Sequence, residues 1–178
     1  VFTPDAGFNG AATITVPAAA FTDNAGNDNA EGAVSVAVNT VAPTITITSS
    51  AATLGGSDTA LITFTLSSDA TDFAVGDDVT VAGGALSGFS GSGSVYTAVF
   101  TPADDSTDPG LISVAAASFT DADGNDNLAG ALGTAITIDT VAPTVTLAAS
   151  PDSVASGETS TVTITLSKPS ADFAIGDI

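Results

Sequence analysis

An internal repeat constrains this chain more than any other feature. The segment Val41-Ala42-Pro43-Thr44 returns 100 residues later as Val141-Ala142-Pro143-Thr144. At the same spacing Asp72-Phe73-Ala74-Val75-Gly76-Asp77 returns as Asp172-Phe173-Ala174-Ile175-Gly176-Asp177. A second set is spaced by 98 residues: Val1-Phe2-Thr3-Pro4 with Val99-Phe100-Thr101-Pro102, and Phe21-Thr22-Asp23 with Phe119-Thr120-Asp121. The two spacings differ by a two-residue insertion after Ala131, in the turn-like Leu132-Gly133-Thr134. Repetition at this period means that one structural unit is used several times. One whole unit spans 41–140, residues 1–40 match its second half, and residues 141–178 match its first half. We expect a window on a longer array; completion of the two halves by neighbouring chains is the other reading.

Within the unit the hydrophobic period is two, as a half-buried strand requires. Ile45 and Ile47 alternate with Thr44, Thr46 and Thr48; Ile62, Phe64 and Leu66 alternate with Thr63 and Thr65. The next copy keeps this pattern in Val162, Ile164 and Leu166. The alternation predicts seven strands, over 44–49, 60–67, 78–82, 86–90, 94–101, 111–116 and 134–139. Gly, Asp, Asn and Ser punctuate them, and no amphipathic helix is visible. Seven strands in about 100 residues imply two packed antiparallel sheets. The expected fold class is therefore all-β, a tandem series of antiparallel β-sandwiches. Residues 1–40 hold the last strands of one, and 141–178 the first strands of the next.

The residues that carry a family likeness lie along these strands and their turns. They include Ile62-Thr63-Phe64-Thr65-Leu66-Ser67, Phe73-Ala74-Val75-Gly76-Asp77 and Gly83-Gly84-Ala85-Leu86-Ser87-Gly88-Phe89. The pattern continues through Tyr96-Thr97-Ala98-Val99-Phe100-Thr101-Pro102 and closes on Asp139-Thr140-Val141-Ala142-Pro143. In these motifs the chain resembles the bacterial Ig-like tandem repeats of giant secreted surface adhesins. That resemblance implies Ig-like sandwiches, export to the surface of a Gram-negative bacterium, and many repeats per polypeptide. It implies no particular receptor, since many such repeats are spacers.

Composition excludes several activities. The formal charge is −19, with Lys168 the single basic residue. Such a chain has nothing with which to neutralise phosphates, so nucleic acid is not an expected partner. No apolar run approaches the ~20 residues of a membrane span, so direct membrane insertion is not expected either. The chain has no His and no Cys, which removes Ser-His-Asp chemistry, thiol catalysis, disulfides and His- or Cys-bound zinc. Adjacent carboxylates at Asp77/Asp78 and Asp104/Asp105 could suggest glycoside hydrolysis. Neighbouring strand residues point to opposite faces, however, and no Trp is present to stack against a sugar. We expect no enzyme.

The acidic residues are concentrated where a cation could sit. The loop Asp121-Ala122-Asp123-Gly124-Asn125-Asp126-Asn127 is dense in oxygen donors of the kind calcium takes. It lacks the glycine and glutamate positions of an EF-hand, and Asx-rich turns also form because Asp and Asn bond their own backbone. In an Ig-like sandwich this loop meets the loop after the second strand, which holds Asp69, Asp72 and Asp77, where the chain enters the domain. The last strand of the preceding unit brings Asn39 to the same end, and its turn holds Asp5. The next junction repeats this with Asp139, with Asp104, Asp105 and Asp108, and with Asp172 and Asp177. Ala25 stands where the whole unit has Asp123, so a ligand set common to both copies favours Asp121, Asn125 and Asp126, matched by Asp23, Asn27 and Asp28. The linkers Thr40-Val41-Ala42-Pro43 and Thr140-Val141-Ala142-Pro143 are short and proline-ended, which stiffens them.

Two functional expectations follow. The first is an extracellular adhesin spacer whose junctions between neighbouring repeats are stiffened by structural Ca²⁺. The second is a subunit of a filament, sheath or surface layer built by lateral contacts between identical chains.

Overall fold

A computed structural model describes all residues, 1–178. Its strands are β1 (Asn9–Val16), β2 (Gly32–Asn39), β3 (Ile45–Ser49), β4 (Thr53–Gly55), β5 (Ala60–Leu66), β6 (Val79–Ala82) and β7 (Gly84–Ser92). They continue with β8 (Val95–Pro102), β9 (Leu111–Val114), β10 (Gly130–Ala131), β11 (Thr137–Asp139), β12 (Val145–Ser150) and β13 (Thr161–Leu166). One helical turn, α1 (Val75–Asp78), precedes β6.

The seven expected strands correspond to β3, β5, β6, β7, β8, β9 and β11, with ends moved by a few residues. Three elements were not expected. The turn α1 forms because the Asp78 carboxylate accepts the Ala74 amide at 2.7 Å, closing the loop locally. Strands β4 and β10 are too short to show a period of two.

The whole unit is a two-layer sandwich. One sheet runs in the order β3-β5-β8-β7 and the facing layer in the order β10-β9-β6, while β4 pairs with β11 in parallel. All sixteen residues of the apolar core lie between Ile45 and Ile138. Alternation decides which side chains enter it: Ile62, Phe64 and Leu66 from β5 and Tyr96, Ala98 and Phe100 from β8 are buried, while Leu61 and Val95 face outward. Phe73 sits at the centre of an aromatic cluster, its ring edge-on to Phe64, Phe89, Tyr96 and Phe119 at centroid distances of 5.1 to 5.8 Å. Edge-to-face packing of this kind adds to the burial of each ring.

The two-residue insertion has a structural meaning. In the first copy the last strand is continuous, β2 pairing with β1 from Asn9↔Asn39 to Val16↔Gly32. In the whole unit the same strand breaks at Leu132-Gly133-Thr134. Its first part, β10, pairs with β9; beyond the break Ile136 bridges to Gly110, just before β9, and β11 pairs in parallel with β4. The last strand thus stays beside β9 on both sides of the break, which acts as a bulge, and its end takes β4 as a further partner.

Gly83 illustrates how tightly the turn before β7 is built. It has φ +75°, and a Cβ placed there would lie 2.4 Å from the Pro109 carbonyl oxygen. Only glycine fits both conditions.

Candidate functional site at the repeat junction

The loop between β9 and β10 is organised by two side chains. Asn127 is buried and makes four hydrogen bonds. Its Oδ1 accepts the Ser118 and Phe119 amides at 2.7 and 2.9 Å, and its Nδ2 donates to the Ala115 and Leu128 carbonyls, each at 2.8 Å. Asp121 is also buried, and its Oδ1 accepts the amides of Asp123 and Asn125 at 3.0 and 2.9 Å. The Asn125 side chain donates to both of its oxygens, at 3.2 and 3.0 Å. Burial pushes the Asp121 carboxyl up, but the Asn125 side chain and the backbone amides outweigh it and hold it below the usual value.

The matching loop of the first copy has the same internal bonds. Asp23 Oδ1 accepts the Ala25 and Asn27 amides at 2.8 and 2.9 Å, and Asn27 Nδ2 donates to Asp23 Oδ2 at 3.0 Å. Asn29 bonds Phe21, Pro17 and Ala30 as Asn127 bonds its own neighbours. The hydrogen bond from Asn27 is the chief cause of a lowered Asp23 carboxyl. Asp28 and Asp126 each lie opposite a threonine in an isolated bridge, Thr22↔Asp28 and Thr120↔Asp126.

The loop after β5 docks on this one. Asp72 Oδ1 accepts the Thr120 amide at 2.8 Å, and the Thr71 amide donates to the Thr120 carbonyl at 3.2 Å. Asp72 therefore fixes two loops to each other.

The incoming chain reaches the same end of the sandwich. Asn39, the last residue of β2, donates from Nδ2 to Asp123 Oδ2 at 2.6 Å. Asn125 Nδ2 donates in turn to the Asn39 carbonyl at 3.3 Å. Pro43 is fully buried, and its carbonyl accepts the Leu128 amide at 2.8 Å. So Asn39, Asp72, Asp121, Asp123 and Asn125 share one neighbourhood. Asp123 is the acid that reaches across, while Asp121 is turned inward to hold its own loop.

The other acids lie elsewhere. Asp5 contributes its carbonyl, which accepts the Thr40 hydroxyl at 2.6 Å. Asp104 and Asp105 lie in the matching turn, where Asp105 has φ +51° at the place held by Gly7 in the first copy. Asp172 accepts the Ser170 hydroxyl at 2.7 Å. Asp139 is paired with Lys168, whose hydrogen bond is the chief cause of a lowered Asp139 carboxyl. Nowhere do three acidic side chains converge closely enough to hold a metal ion between them. For a cation at the first junction the available oxygens are the Asp123 carboxylate, the Asn39 carbonyl and side chain, and the Asn125 amide. These are hard donors of the type calcium accepts, with fewer carboxylates than the sequence suggested.

Thr40 and Thr140 are functional residues that reading the sequence missed. Thr140 Oγ1 donates to the Ala103 carbonyl at 2.7 Å and accepts the Ser106 amide at 2.9 Å, tying the linker to the turn before β9. Thr40 does the same with the Asp5 carbonyl and the Phe8 amide. The signal was present: both threonines open the two linkers at matching positions.

A family model described as bacterial Ig-like domain matches residues 39–138 and again residues 139–178. No curated protein and no solved structure matches the chain. No helix is long and apolar enough to cross a membrane.

Proposed function

The chain belongs to the bacterial Ig-like domain family, and on that premise we propose that it is a non-catalytic extracellular spacer in a large repetitive bacterial adhesin. Bacterial Ig-like domains are surface or extracellular repeat modules, generally without catalysis. The observation that carries the finer reading is the docking of the linker onto the β9–β10 loop, through Asn39, Asp123, Asn125 and buried Pro43. A spacer must transmit position along its length, and a linker bonded at both ends does so better than a free tether.

Calcium is the proposed stiffening ion. Asp123, Asn39 and Asn125 would supply its oxygens, drawing donors of two successive repeats to one charge. Asp121 would set the loop geometry from within. Solution scattering and thermal melting in calcium and in chelator test this reading. Calcium is expected to lengthen and narrow the distribution of chain dimensions and to raise the melting temperature. Identical profiles and melting points in the two conditions would sink it.

One observation favours the filament reading. The four-stranded sheet β3-β5-β8-β7 carries no charged residue, although the chain as a whole has a formal charge of −19. That face is where two such chains could approach with least repulsion. The same scattering series reads it, since lateral pairing doubles the mass per unit length.

A further inference from the structure

The two junctions are not chemically equivalent, and the difference lies in a matched pair of residues. Asn39 at the first junction corresponds to Asp139 at the second, and Ser68 corresponds to Lys168. Both members of the pair change together. Pro169 also replaces Asp69, so the local charge rises by two at the loop after the second strand. Lys168 is the only basic side chain in the protein. It donates to the Asp139 carboxylate at the end of β11 and to the Val141 carbonyl in the linker, the latter at 2.6 Å. One ammonium thus joins the end of the whole unit, the linker and the following unit. Pro169 restricts the backbone at Lys168 to extended conformations, which limits where the side chain can reach.

We infer that Lys168 and Asp139 form an interdomain latch, in which a lysine ammonium supplies the positive charge at the second junction. The latch needs no divalent ion and so goes beyond the calcium reading. Its consequence is an array whose junctions differ in what loosens them. The first, built on Asn39, Asp123 and Asn125, has no ion pair to screen. The second is held by an ion pair whose lysine and aspartate side chains are 32% and 54% exposed, so salt weakens it. An exposed pair biases an equilibrium instead of locking it, by up to about fivefold in population.

The chain has no cysteine, so spin labels at Ser87→Cys and Thr163→Cys report the second junction alone. A second pair at Ser35→Cys and Ser87→Cys reports the first. All distance distributions are measured on the full chain in chelator. At the second junction the wild type is expected to show one dominant distance. Lys168→Ser, which installs the residue of the matching position, should reduce that population about fivefold, as should Asp139→Asn. Lys168→Arg should keep it, and the double change Lys168→Ser with Asp139→Asn should be no worse than either alone. Concentrated sodium chloride should shift the wild type towards the variants. The latch is overturned if Lys168→Ser leaves the second-junction distribution unchanged, or if it disturbs the first junction equally. Because calcium is absent throughout, failure of the calcium reading leaves this outcome untouched.

Discussion

Residues 17–29 and 115–127 are two copies of one loop in two different surroundings. Both loops have the same Asp-centred and Asn-centred hydrogen bonds. Yet Phe119 is 1% exposed and Phe21 is 62% exposed. Loop geometry therefore comes from short-range bonds that Asp and Asn make with their own backbone. Burial comes from the facing sheet, whose strands for Phe119 all lie within residues 41–140. The first-half residues make the same point from the other side: Ile62, Ile47 and Phe73 are buried, while Val162, Leu147 and Phe173 are exposed.

The sharpest way to break this comparison is to shorten the aromatic side chains. Phe119→Ala should destabilise the whole unit by about 3–5 kcal/mol, the usual cost of emptying a packed aromatic site. Phe21→Ala should shift the same denaturant transition by less than about 0.5 kcal/mol. Equal effects on the two midpoints would mean that residues 1–40 share the core.

Removing the Asn side chain comes next. Asn127→Ala leaves two backbone amides and two carbonyls without the partners they have now, at a cost of about 2–3 kcal/mol. Asn29→Ala exposes its matching groups to water, which replaces the lost bonds, so melting of the whole unit should barely change. A large loss from Asn29→Ala would show that loop order itself controls unit stability.

The smallest effect concerns protonation of Asp121. Its folded carboxyl is held below the usual value. Its stabilising contribution is therefore complete above about pH 4, the unfolded value, and is lost as pH falls through the depressed folded value. Asp121→Asn should cost about 1 kcal/mol at neutral pH and should flatten the dependence of stability on pH below about 4. Relief of mutual repulsion among the other carboxylates acts in the opposite direction on both proteins, so the difference between their pH profiles is the readout. Parallel profiles would remove Asp121 as the source.

Much of the fold was legible because the relevant physics is local or periodic. The repeat set the unit, alternation at Ile45–Ile47, Ile62–Leu66 and Tyr96–Phe100 set the strands, and Asp/Asn clusters marked the ordered loop. The helical turn Val75–Asp78 escaped because four residues carry no helical period. The break between β10 and β11 showed in sequence only as an insertion, since the parallel partner that β11 finds in β4 lies far along the chain. As a ligand common to both copies Asp121 was favoured over Asp123, because Ala25 stands at the position matching Asp123. Asp121 turned inward because the amides of its own loop reach it first, and Asp123 met Asn39 only once two units were set end to end.

The amino-acid sequence by itself determined the unit length, the strand faces, the loop chemistry and the family, because each rests on spacing along the chain or on bonds within a few residues. Tertiary structure alone decided which acid crosses the junction, that β11 pairs with β4, and that Lys168 meets Asp139. Those outcomes depend on surfaces brought together from distant segments, and no spacing within a single copy encodes them.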